Sequence, residues 1–223
     1  MRRALSNAAV APGAAAVESR LRAGYRGLIA PLLDHLAAVD TLFIAPDGPL
    51  HAVPFGALTD DRDRRLLERF AGVRLLQTGR DLVARERPAT GTGLVALGGV
   101  DFGPPPDTEP AAAAPATDGD AVPLTGLSAC NTGQGVFDDS EGLEGLPRAF
   151  YVAGAKAVLV ALWPIGDAAT ATFMARFYET WLADPTLSPA AALQRTKRVH
   201  DIGSANPAAR DPAVWAPFVL YEG

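Results

Sequence analysis

The 223-residue chain has one cysteine and three histidines. A single cysteine cannot close an internal disulfide, so stability must come from a core, and a reducing, cytoplasmic setting is expected. No apolar run approaches the roughly 20 residues that a membrane-spanning helix needs, so no membrane partner is expected. Basic residues form no stripe: 20 Lys and Arg are interspersed with 25 Asp and Glu for a net charge of −5, which argues against nucleic acid as a partner. His35, His51, His200 and Cys130 lack metal-ligand spacing. A Walker-type phosphate loop is also missing. Neither a metal nor any other cofactor is expected.

What is present is apolar content, 48% of the chain, enough for one sizeable core. Met1-Arg2-Arg3 and the alanine-rich residues after it resemble a weak export signal, but Ser6, Asn7, Pro12 and Gly13 break the apolar stretch. Residues 1–16 are therefore expected as a disordered tail, and 17–223 as a single domain. Between Val17 and Val39 apolar residues recur at three and four, predicting a helix bent or restarted at Pro31. Short apolar runs at Thr41–Ala45, Val73–Leu76, Leu94–Leu97, Val122–Leu127, Ala157–Trp163 and Trp215–Tyr221 read as buried strands. Helical patterns stand between most of them, at 64–70, 143–153 and 189–199 and in the stretch after Asp167 that carries Phe173, Phe177 and Trp181, with Asp167 and Ser188 as caps. Residues 103–121, with Pro104-Pro105-Pro106 and a four-alanine run, cannot bury enough apolar surface to fold and read as a low-complexity linker or loop. Alternating strands and helices predict an α/β fold with a mainly parallel sheet covered on both faces.

The stretch Leu127-Ser128-Ala129-Cys130-Asn131-Thr132-Gly133 places the one cysteine where a buried strand gives way to a Gly-rich acidic segment. Open α/β sheets carry reactive groups at the carboxyl ends of their strands. A small thiol is by default a core residue; as a nucleophile it needs a histidine, a cation or a helix N-terminus to lower its pKa. Gly126-Leu127-Ser128-Ala129-Cys130 falls one glycine short of the esterase elbow. Phe173, Phe177, Trp181, Trp163 and Trp215 read as core, and Asp138, Asp139 and Glu141 as a solvated loop.

A family resemblance now enters. Leu127–Gly133, Glu141-Gly142-Leu143-Glu144-Gly145-Leu146-Pro147-Arg148-Ala149-Phe150, Ala153–Val158 and Leu162-Trp163-Pro164-Ile165-Gly166-Asp167 together resemble the CHAT domain. That domain is a caspase-like module often found after tetratricopeptide repeats. Pro46-Asp47-Gly48-Pro49-Leu50-His51-Ala52-Val53-Pro54-Phe55, Thr78-Gly79-Arg80-Asp81-Leu82 and Val214–Leu220 match further hallmarks in family order. The resemblance implies a caspase-like three-layer α/β/α fold and cysteine endopeptidase chemistry. It makes Cys130 the nucleophile, with Asn131, Thr132 and Gly133 in the oxyanion loop. By charge, Asp167 and the acidic loop Asp138–Glu141 are candidates for binding a basic substrate residue, with a solvated loop the equal alternative.

The family's second catalytic group is a histidine, from a His-Gly pair ending a strand upstream of the cysteine. Here no histidine stands between His51 and Cys130, so the fold is expected to be incomplete, lacking the His-Gly strand. The implied function is a CHAT-type domain of cysteine endopeptidase lineage, impaired for want of its base, that serves as a protein-binding module or remnant. Its partners would be proteins or peptides, tetratricopeptide-repeat proteins among them. The alternative is an active cysteine endopeptidase whose base is supplied by His51 or by another chain.

Overall fold

The first stretch of helix follows from one apolar stripe. Val17, Leu21, Tyr25 and Ile29 recur every fourth residue and all four are buried. In the computed structural model, which describes residues 13–84, 94–97, 124–127, 150–151, 155–163, 165–203 and 210–222, they lie on α1 (Ala14–Gly24) and the wider turn that continues it to Ile29. The helix starts three residues ahead of the expected boundary. From Ala30 the chain tightens into a 3₁₀ turn that runs to Leu36, with Pro31 in its first positions. A proline has no amide hydrogen to give an α-helical bond, and the bend expected there takes this form. Most of the expected tail over 1–16 and the whole loop over 103–121 lie outside the described residues.

The remaining elements are β1 (Thr41–Ile44), α2 (Leu66–Arg69), β2 (Gly72–Leu76), α3 (Asp81–Ala84), β3 (Leu94–Leu97), β4 (Leu124–Leu127), β5 (Ala157–Ala161), α4 (Asp167–Leu182), α5 (Pro189–Arg198), α6 (Pro212–Trp215) and β6 (Phe218–Glu222). The six strands form one sheet in the order β1-β2-β6-β5-β4-β3. The fold is α/β with a mixed, mostly parallel sheet: β1, β2 and β6 run one way, β3, β4 and β5 the other, and the reversal is at β5–β6. All five residues of β5 and four of the five in β6 are buried, so both faces of the sheet are covered at this seam.

Two local expectations shift. The last strand begins at Phe218 rather than Trp215, because Asp211 caps a helical turn by accepting from the Ala213 amide at 2.8 Å. Asp167 does not cap α4; Gly166 is the cap and Asp167 the first helical residue. Ser188 does cap α5, accepting from Ala191 N at 3.2 Å. α5 packs on β2 and β6, α4 on α5, and α1 on α6. Phe173 and Phe177 are buried, the former stacked on Phe218 with centroids 4.2 Å apart.

A second stripe on the N-terminal helix carries charge. Glu18, Arg22 and Arg26 pair in turn with Arg65, Asp63 and Asp61 on the loop before α2. The loop is shaped for this: Asp60 accepts from the amides of Arg62 (2.8 Å) and Arg64 (2.9 Å), and Asp63 adopts φ 62°. Aspartate tolerates that left-handed conformation at a cost of about 1 kcal/mol. The outer pairs are exposed and contribute little.

Arg65 differs. It is buried, bonds Glu18, Thr59 and Asp201, and has its guanidinium carbon 5.5 Å from the centre of the Trp215 ring. Burial holds the Asp201 carboxyl above the ordinary range even with Arg65 opposing it. Removing one partner of a buried pair costs about 3–5 kcal/mol, against under about 1 for a surface pair. Arg65→Ala is accordingly expected to lower urea stability by about 3–5 kcal/mol, and Arg26→Ala by less than about 1; equal losses would contradict the assignment of Arg65 as the hub.

Among the described residues Lys197 is the other buried Lys or Arg, 6% exposed on the inner face of α5. Its ammonium lies 3.4 Å from the Ala216 carbonyl oxygen and 5.9 Å from the centre of the Trp215 ring. Burial pulls its pKa down to about 7. The unfolded chain binds its proton up to about pH 10.4, so between pH 7 and 10 the unfolded state holds more protons. Stability from this group therefore rises with pH across that window, and its cost is greatest below pH 7. Lys197→Met is expected to stabilise the domain by about 1–4 kcal/mol at pH 6, with the gain shrinking toward pH 10, as read by denaturant titration at several pH values.

Candidate functional site

Strand direction assigns two edges to the sheet. At one edge β3, β4 and β5 end while β6, β2 and β1 begin; at the other the reverse holds. The chain leaves β4 at Leu127 toward the first edge, three residues before Cys130. Cys130, Asn131, Thr132 and Gly133 themselves lie outside the described residues. What surrounds their approach is defined. Leu162 N donates to the Pro217 carbonyl at 3.0 Å, and Trp163 Nε1 donates to the Ala213 carbonyl at 2.9 Å. These bonds tie the Leu162–Asp167 hallmark to the Val214–Leu220 hallmark. Asp167, the candidate substrate contact, follows on this edge as the first residue of α4.

Beside β4 stands β3, in register from Leu94↔Leu124 to Leu97↔Leu127. The residues that follow Leu97 are Gly98-Gly99-Val100-Asp101, with no imidazole. Among the described residues β3 is thus the outer neighbour of the strand that leads to Cys130.

His51 is built into the opposite edge. It sits in the 3₁₀ turn Gly48–Ala52 that follows the end of β1, and Gly48 at φ 49° supplies the left-handed residue that starts the turn. Its side chain is 1% exposed. The Tyr221 hydroxyl donates to the His51 carbonyl at 2.8 Å, and His51 Nδ1 lies 3.4 Å from the same hydroxyl oxygen. Burial lowers the imidazole pKa, with Asp47 opposing. Tyr221 is level with Val158 and, through it, with Thr125 on β4. Leu127 is two residues farther along in the direction away from His51. Two strand spacings and two residues put the Leu127 and Tyr221 backbones about 12 Å apart. This placement gives no support to His51 as a base for Cys130. The Pro46–Phe55 hallmark serves here as a clasp that fastens the exit of β1 to the end of β6.

The Thr78–Leu82 hallmark has a similar local role. Asp81 Oδ2 accepts from the Thr78 amide at 2.6 Å and from its hydroxyl at 3.3 Å, closing the turn into α3. His35 lies in the 3₁₀ turn Ala30–Leu36 and His200 follows α5, stacked obliquely on Phe173 with centroids 5.0 Å apart. Neither shares an element with the cysteine strand.

The architecture and these four hallmarks agree with a family match that covers residues 18–116 and 112–222, described as the CHAT domain. The chain belongs to the CHAT domain family. Its match comes in two pieces that meet within the Pro/Ala-rich stretch. Among curated proteins, this CHAT domain is similar to tetratricopeptide repeat protein 28 of Mus musculus, 40% identical over 81 residues, and to that of Homo sapiens, 38% identical over 81 residues. The aligned part is 36% of this chain and spans only 3% of either relative.

Sequence reasoning missed Tyr221 and Lys197 as special positions. Lys197 had a readable signal: Ala190, Leu193, Gln194 and Lys197 stand at i, i+3, i+4 and i+7, the inward stripe of a helix. Among the described residues no helix is long and apolar enough to cross a membrane.

The clasp makes a prediction. Tyr221→Phe removes one buried hydroxyl bond and is expected to cost about 1–2 kcal/mol in denaturant titration. Because the folded pKa of His51 is lowered below its unfolded value, its contribution is present above about pH 6.5 and is lost as pH falls. An imidazole proton signal from His51 titrating above pH 7 in the folded chain would contradict this.

Proposed function

We propose that this CHAT domain descends from cysteine endopeptidases, no longer cleaves peptides efficiently, and works as a protein-binding module. The observation that carries the reading is the pairing of β3 with β4: the strand beside the cysteine strand is Leu94–Leu97, and no histidine follows it before Cys130. The two-piece family match, meeting at residues 112–116, supports it as well. In this reading residues 103–121 are a low-complexity connection where family sequence has been lost. Cys130 keeps the nucleophile's position, with Asn131, Thr132 and Gly133 beside it, but lacks a base.

The magnitudes favour impairment. General acid–base assistance contributes about 10²–10⁴-fold, and an oxyanion donor about 10²–10³-fold. A His-Gly pair supplies both, so losing it leaves little rate over background. Binding does not depend on either group. The relatives' name supports tetratricopeptide-repeat proteins as partners or neighbours. A cytoplasmic setting rests on the single cysteine, which needs no oxidising compartment.

Purified chain incubated with a degenerate peptide library tests this directly. No Cys130-dependent turnover is expected, and Cys130→Ala is expected to retain whatever proteins the chain binds. Cleavage at about 1 s⁻¹ or faster that Cys130→Ala abolishes would overturn the proposal.

A further inference from the structure

Of the chain's 20 basic side chains, eighteen are arginine and two are lysine. Lys156 is exposed; Lys197 is buried. The difference matters chemically, because an arginine stays charged at any accessible pH, whereas a buried lysine can shed its proton and become a nucleophile.

Lys197 lines a small open cavity between the Phe55–Ala57 turn, α2, β2, α5 and β6, of about 40 Å³. Its walls are largely apolar: Phe55, Leu67, Val73, Leu193 and Val219 among them. The other side-chain polar group there is already committed. Gln194 Nε2 donates to the carbonyls of Leu67 and Phe70 at 3.2 Å each, and its Oε1 accepts from Val73 N at 3.2 Å. Neighbouring charges are engaged elsewhere too, Arg198 on the Leu67 and Phe70 carbonyls and Arg65 on Glu18 and Asp201. Among the described residues no carboxylate lies within ion-pair distance of Lys197.

We propose that Lys197 is a nucleophilic amine that condenses with a small apolar aldehyde entering through this cavity. The amine nitrogen attacks the carbonyl carbon to give a carbinolamine, which loses one water to give the imine; no oxidant or reductant is needed. Desolvation in an apolar pocket is the ordinary way to activate a Schiff-base lysine, and it brings this amine to a pKa of about 7. The product is matched as well. A protonated imine is a cation with one N–H, and the Trp215 ring face and the Ala216 carbonyl stand where Lys197 already meets them.

The test treats the full chain with propanal and cyanoborohydride at pH 7 and reads the sites of alkylation by peptide mass spectrometry. Hydride from the reductant traps the imine as a secondary amine, so each modified lysine is recorded permanently. Lys197 is expected to be alkylated at least about tenfold faster than Lys156. Gly56 lines the same cavity, and a Cβ placed on it would stand 3.8 Å from Leu67 Cβ, an ordinary contact. Gly56→Val is therefore expected to fold, to narrow the cavity and to slow Lys197 alkylation severalfold while leaving Lys156 unchanged. Alkylation of Lys156 with Lys197 reacting only in urea would overturn the proposal. So would a Gly56→Val chain whose circular dichroism is unchanged and whose Lys197 reacts as before.

Discussion

The antiparallel seam between β5 and β6 is the constraint on which the rest depends. Val158, Leu159, Val160, Phe218, Val219, Leu220 and Tyr221 are all buried along it, and five residue pairs hold its register. It joins two parallel three-stranded halves that run in opposite directions. Because of that reversal, strand ends that look equivalent in the sequence fall on opposite edges of the sheet. Cys130 follows an element that ends at one edge, and His51 follows an element that ends at the other. The functional reading rests on this polarity as much as on any side chain.

Around the seam, the family hallmarks divide into fasteners and chemistry. The turn holding His51 is tied to Tyr221, Asp81 closes its own turn, and Trp163 is bonded to the carbonyl of Ala213. These are buried or local bonds that a chain keeps for folding whether or not it cleaves anything. On the proposed reading, the cysteine stretch and the lack of a histidine between His51 and Cys130 are what bear on catalysis.

Much of this was legible beforehand, and the reasons are physical. Ala157–Ala161 is a continuous apolar run with all five residues buried, and Leu94–Leu97 is a run of the same kind in the sequence, so pattern alone finds both. Family order was equally plain in the motifs. Strand direction was not, since an apolar run reads the same in either polarity, and the seam at β5–β6 had no sequence signature. The start of β6 was misjudged because the Asp211 cap outweighs the apolar run that begins at Trp215. Arg65 was invisible for a related reason, and Lys197 showed only through the inward stripe of its helix. A charged residue in a sequence reads as surface until its helix face or its partners are known, and here Trp215 lies against both.

The central claim, that no base stands beside Cys130, has a direct test. The chain contains one thiol, so the rate of iodoacetamide alkylation against pH reports that group alone. If, as proposed, no base activates the thiol, the rate is predicted to rise with a midpoint near the free value of about 8.5 or above. A midpoint below about pH 7, abolished by replacing any one of the three histidines with alanine, would contradict the account and restore a catalytic dyad.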